Sequence, residues 1–165
     1  MGGGVAGLAA AHRATEWMRE RAERVDLTVL EAAHRLGLQA IEGEPAAAVA
    51  QLREYLAGAR RVFDLPLDWS LTRGAQLQVL STLFATVGHG ETVTYGELAA
   101  RSRLGSAYTA ARGVGSIMGS NPLPVVVPCH RVMAADGLGG FGGGRATKEW
   151  LLAHEGVLTG PLDFG

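Results

Sequence analysis

Apolar positions recur at helical spacing over much of this 165-residue chain. Residues 5–36 are rich in Ala, Leu, Glu and Arg, with charges of alternating sign, and predict a helix with a solvated face that stops at Gly37. Residues 45–57, "PAAAVAQLREYLA", predict a second helix. Pro45 suits its first turn, Val49, Leu52 and Leu56 share one face, and Gly58 would end it. The alternating stretch "VFDLPLDWS", residues 62–70, contains Pro66 and predicts an extended connector or a short edge strand. The break between two halves falls at about 66–73. Residues 74–87 predict a third helix with Leu77, Leu80, Phe84 and Val87 toward a core, and "GHG" at 88–90 ends it.

Thr94 and Glu97 have capping-box spacing, so a helix should start just after Thr94, with Tyr95 at its first position and the phenol pointing outward. Residues 106–118, "SAYTAARGVGSIM", predict another helix, opened by Ser106. Two short helices joined by a Gly-containing turn make a helix-turn-helix candidate. The second carries Ala110, Ala111, Gly113, Gly115 and Ser116. Glycine in a helix costs about 1 kcal/mol relative to alanine. Either a neighbouring helix packs closely here, or another backbone, such as a DNA minor groove, lies against the small residues. "NPLPVVVPCHRV" predicts a buried strand bracketed by prolines, and "AADG", residues 134–137, a turn. The glycine loop 137–144 fits neither a phosphate loop nor a dinucleotide fingerprint, and a last helix spans Thr147 to about Glu155.

Hydrophobic residues make up 47% and charged residues 19%, a balance that supports a packed core. A net charge of −1 argues against a generic polyanion binder. The stretch 101–131 is nevertheless locally positive, with Arg101, Arg103, Arg112 and Arg131 and no acid. The single cysteine can form neither an internal disulfide nor a cysteine-based zinc site alone, which predicts a reducing, cytoplasmic setting. The N-terminal stretch does not read as a signal peptide, and no apolar run reaches membrane-span length.

That cysteine, Cys129, sits in "PVVVPCHRV" beside His130 and Arg131. A thiol attacks as thiolate, and its ordinary pKa is near 8.5, so a nucleophilic role calls for a base and a group that orients the base. A buried cysteine often only packs. Here a proline and two polar residues surround it. In an extended strand His130 would face away from the sulfur, so contact would run through a water or a turn after Pro128. Glu149 and Glu155 are the candidate orienting acids.

Residues 74–156 resemble the catalytic domain of the O6-alkylguanine-DNA alkyltransferases, also called methylated-DNA–protein-cysteine methyltransferases. The resemblance rests on "GETVTYGELA", "AARGVGSIMGSNPLPVVVPCHRV" and "GGFGGGRATKEWLLAHEG". Residues 45–73 resemble the helix and connector before that domain. The resemblance implies an α/β (α+β) chain. Its parts would be a winged-helix-like catalytic and DNA-binding domain at 71–165 and a small, incomplete α/β region at 1–70. The family begins with strands where this chain reads as helix. Phe141 and Gly142 stand where many members carry tyrosine and serine, and "RGVG" replaces the usual "RAVG".

The implied activity is single-turnover DNA repair. Cys129 would take the alkyl group from O6-alkylguanine, and O4-alkylthymine is a further candidate substrate. His130 would act through water, Glu155 would orient His130, Asn121 would brace the cysteine turn, and Tyr95 would assist the departing guanine. Thr94, Tyr95, Ala110, Ala111, Arg112 and Gly115 would contact DNA, with Arg112 replacing a flipped nucleotide. Val132, Phe141 and Gly142 would line the guanine pocket. No cofactor or metal is implied. The partner would be double-stranded DNA carrying the lesion, bound by a monomer with no membrane association. Non-transferring relatives carry tryptophan at the position of Cys129, so the cysteine favours transfer over lesion binding alone or an alkylation-sensing regulator.

Overall fold

The computed structural model describes residues 44–105 and 108–158. The helix predicted over 5–36 and the opening residue Ser106 lie outside the described residues. The elements, in order, are α1 (Glu44–Leu56), α2 (Gly74–Thr86), β1 (Val93–Thr94), α3 (Tyr95–Arg101), α4 (Tyr108–Gly119), a 3-10 turn (Cys129–Arg131), β2 (Val132–Met133) and α5 (Arg145–His154).

Helix α1 stops where Gly58 takes a left-handed φ of 75° and its N–H bonds to the Tyr55 carbonyl. The connector that follows forms no strand. It is tied back to α1 instead: the Gln51 amide donates to the Asp64 carbonyl and accepts from the Asp64 N–H, both at 2.8 Å. Helix α3 begins at the expected cap. The Thr94 hydroxyl accepts from the Glu97 N–H at 3.2 Å, and the Glu97 carboxylate accepts from the Thr94 N–H at 2.8 Å.

Among the described residues, two apolar clusters form the core. The larger joins Val79, Leu80, Leu83 and Val87 from α2 and its end to Leu98 and Ala99 of α3, Val114 and Met118 of α4, and Val127, Cys129 and Val132. The smaller joins Leu52, Tyr55 and Phe63 to Val125, Val126, Trp150 and Leu151. Phe84 does not face the core as expected. It is 36% exposed and meets Trp69 edge-on, while Val79 and Leu83 take the buried positions.

"NPLPVVVPCHRV" is not the expected strand. Residues 121–127 turn on themselves, with a single bridge between Pro124 and Val127 and with Val125 at φ 74°. A left-handed φ is costly for a β-branched residue. The Val125 side chain is 2% exposed in the smaller cluster, and that burial offsets the cost. The sheet is a two-residue parallel pairing, Val93 with Val132 and Thr94 with Met133. It fixes the start of α3 beside the end of the cysteine turn.

Candidate active site

Asn121 holds the turn that delivers the thiol. Its amide donates to the Val127 carbonyl at 2.8 Å and its oxygen accepts from the Leu123 N–H at 3.0 Å. Cys129 then opens the 3-10 turn, buried, on the wall of a cavity of about 270 Å³. Tyr95, Gly115, Met118, Gly119, Gly140, Phe141 and Gly142 line the rest. Burial pushes the Cys129 thiol above its ordinary value. A hydrogen bond from Asn121 and the nearby Lys148 charge oppose that only in part. The resting sulfur is therefore a thiol at neutral pH, and attack requires a base.

The candidate base stands next in sequence. His130 is fully buried, its Nε2 lies 2.9 Å from Glu155 Oε1, and its Nδ1 has no partner among the described residues. A carboxylate acceptor at Nε2 fixes the proton there and leaves Nδ1 as the free lone pair. Burial lowers the His130 pKa against the opposing pull of Glu155, and the Arg131 and Lys148 charges lower it further.

Among the described residues, Glu155 receives five donors: Tyr55 Oη (2.7 Å), His130 Nε2 (2.9 Å) and Arg131 Nη2 (2.8 Å) on Oε1, and Arg131 Nε (2.9 Å) and Gly90 N (3.3 Å) on Oε2. Burial alone would raise this carboxyl. The hydrogen bonds from His130 and Arg131 overcome it and hold Glu155 far below the usual carboxylate range. Glu149, the other candidate acid, pairs with Arg145 on the surface at 2.9 Å and does not reach His130.

Tyr95 projects into the cavity rather than away from the protein, with its hydroxyl 3.4 Å from the Gly140 carbonyl it donates to. A Cβ at Gly139 would stand 3.1 Å from that hydroxyl and 3.2 Å from the Ala134 N–H, and Gly139 has φ 71°, so glycine is required there on both counts. Val132 is buried at the end of the turn, and Phe141 meets His130 edge-on at 6.4 Å. Arg112 is exposed on α4, its guanidinium 5.9 Å from the Tyr108 ring centre. Ala110 and Ala111 are half-buried on the same helix, and Thr94 caps α3. Among the described residues a Cβ at Gly113 or Gly115 would meet nothing within 4 Å, so close packing of the described helices does not explain these glycines. Arg131 is buried against Glu155 and drops out of the expected basic surface, which keeps Arg101, Arg103 and Arg112.

Three further residues belong to the site: Arg131, expected on the basic surface, and Tyr55 and Lys148, for which no role was expected. Arg131 anchors Glu155. Tyr55 reaches it from α1. Lys148 is fully buried, donates to the Val132 carbonyl at 2.6 Å and the Gly140 carbonyl at 3.2 Å, and is brought down to about 8 by burial. Its signal was its spacing: Lys148, Leu151, Leu152 and Glu155 fall on one helical face. Tyr55 carried no local signal.

The family model described as 6-O-methylguanine DNA methyltransferase, DNA binding domain, matches residues 75–157. A methylated-DNA–protein-cysteine methyltransferase of Shigella flexneri is 42% identical over 152 residues, covering 88% of this chain and 84% of that protein. The chain belongs to the methylated-DNA–protein-cysteine methyltransferase family. The mouse methyltransferase is 55% identical over 85 residues, but that match spans only 39% of its length. The solved Mycobacterium tuberculosis OGT in complex with DNA is 43% identical, with a TM-score of 0.60 over 67% of this chain and 66% of that one. The methyltransferase of Pyrococcus kodakaraensis is 30% identical, with a TM-score of 0.62 over 84% and 81%. A second family model, an NAD(P)-binding Rossmann-like domain, matches residues 1–84. Gly2, Gly4 and Gly7 have the spacing of its glycine fingerprint. Residues 1–43 lie outside the described residues, and 44–84 hold two helices and a connector without a strand. The described residues, helices with a small two-stranded sheet, thus share the fold of these methyltransferase structures.

Proposed function

We propose that this chain repairs O6-alkylguanine in double-stranded DNA by one irreversible alkyl transfer to Cys129. The observation that carries the reading is a buried cysteine on a cavity wall, followed in sequence by a histidine whose far nitrogen is held by a buried carboxylate. The thiol proton passes through a water to His130 Nδ1, and Glu155 steadies the imidazolium. The Cys129 sulfur attacks the alkyl carbon, a C–S bond forms, the C–O6 bond breaks, and the electron pair stays on guanine. That guanine is finally neutralised by a proton equivalent to the one the thiol lost. Tyr95 donates a hydrogen bond toward the charge that develops on it. Asn121 braces the turn, and Val132, Phe141 and Gly142 bound the base.

A thiol this deep is out of reach of a stacked base, so the nucleotide must be extruded. Helices α3 and α4 act as a helix-turn-helix within a winged-helix-like domain over 71–165. The small residues of α4 lie on the groove, Thr94, Tyr95, Ala110, Ala111 and Gly115 face DNA, and Arg112 fills the vacated stack. The protein works as a cytoplasmic monomer. Incubation with a duplex containing O6-methylguanine, followed by peptide mass mapping, tests this: one methyl group on Cys129 is expected, and an unmodified Cys129 beside intact lesion DNA overturns the reading.

A further inference from the structure

The Cys129–His130–Glu155 arrangement lies inside residues 75–157, yet the carboxylate is completed from outside them. We infer that Tyr55, in the helix before the catalytic domain, is a positioning residue: its hydroxyl occupies Glu155 Oε1 beside His130 and so sets how strongly that imidazole takes the thiol proton. The inference rests on the roles of Cys129 and His130 proposed above.

Tyr55 is fully buried and donates to Oε1 at 2.7 Å, the same oxygen that His130 Nε2 meets at 2.9 Å and Arg131 Nη2 at 2.8 Å. A carboxylate oxygen offers about two lone-pair directions. Three donors therefore divide its charge, and the share held by Tyr55 is withdrawn from His130. The ring is fixed as tightly as the hydroxyl. It packs against Phe63, His154 and His89, with centroids at 5.4, 5.3 and 6.2 Å, and His154 Nε2 donates to the Tyr55 carbonyl at 2.7 Å. Among the described residues, the charged and titratable groups facing this assembly are Arg131 from the cysteine turn, Lys148 and His154 from α5, His89 from the 88–90 loop and Arg61 from the connector. None of them changes when the Tyr55 oxygen alone is removed. Losing that donor leaves more negative charge on Oε1, which favours the imidazolium. His130 then holds a proton to higher pH and, once neutral, is the stronger base.

Tyr55→Phe removes one oxygen and keeps the ring. In the full chain, the His130 ring is titrated by NMR with labelled histidine, and single-turnover transfer from an O6-methylguanine duplex is measured against pH. The His130 midpoint is expected to rise by about half a unit, a roughly threefold gain in proton affinity. The acid limb of the rate profile should move with it, and the high-pH plateau should stay at or above that of the unsubstituted protein. An unmoved or lowered midpoint, or a profile scaled down without displacement, overturns the inference. Leu52→Ala loosens the same helix without touching the hydroxyl, and it should lower thermal stability and leave the midpoint in place. An equal midpoint shift in Leu52→Ala also overturns it. If the NMR midpoint moves as expected while even the unsubstituted protein transfers no methyl group, the proposed function fails and the Tyr55–Glu155–His130 coupling stands.

Discussion

At the scale of single residues, a guanidinium and an imidazole share the Glu155 carboxylate, and this decides what substitution there does. Glu155→Gln leaves Arg131 as a buried cation without its counter-ion. Breaking such a pair costs about 3–5 kcal/mol, so the thermal midpoint should fall together with the transfer rate. Glu149→Gln touches only a surface pair and should change stability by less than about 0.5 kcal/mol in the same melt. Cys129→Ala should abolish transfer and keep lesion binding, as mass mapping and a gel-shift titration would report. Acid should weaken the fold in two stages. Burial depresses the folded-state pKa of His130 and, to a lesser depth of burial, of His89, so their unfolded forms bind protons first and stability begins to fall below about pH 6.5. Glu155, also depressed, adds stability that is present above about pH 4.5 and is lost as pH falls further. Denaturant midpoints measured from pH 8 to pH 4 should decline along that course, and a flat profile from pH 7 to pH 5 would exclude a neutral buried His130.

At the scale of elements, legibility followed the reach of the forces involved. The α3 cap was readable because both partners, Thr94 and Glu97, lie within four residues. The valine run before Cys129 has strand propensity, but Pro124 and Pro128 lack N–H donors, and Asn121 closes residues 121–127 into a turn. In α2, Leu83 and Phe84 are both apolar, and which is buried depends on α3 and α4, not on the helix itself. Tyr55 lies 100 residues from Glu155, beyond any local pattern. The α4 helix carries its own prediction. Arg112→Ala should slow transfer from a duplex far more than transfer from free O6-benzylguanine, because only the duplex requires extrusion of the base. Equal losses on both substrates would reduce Arg112 to a phosphate contact. Thr94→Ala should cost about 1 kcal/mol of stability, read as a lower denaturation midpoint, through loss of the cap.

At the scale of the whole molecule, residues 71–158 pack against the helix and connector before them. Leu52, Tyr55 and Phe63 cover Val125, Val126, Trp150 and Leu151, so a chain starting at residue 71 would expose an apolar face and leave Glu155 one donor short. It should melt earlier and aggregate, which scattering during a thermal ramp would detect. The cavity mouth is drawn largely in backbone. A Cβ at Gly115, Gly119, Gly140 or Gly142 would meet no atom of the described residues within 4 Å, and none of these four has a positive φ. Each can therefore become alanine without strain, and within α4 the exchange adds helix propensity worth about 1 kcal/mol. The space beside Cys129 and the stability of the helix are in opposition. A sturdier α4 therefore comes with a narrower cavity beside Cys129 and, at Gly115, with a bulkier side chain on the face proposed to meet DNA.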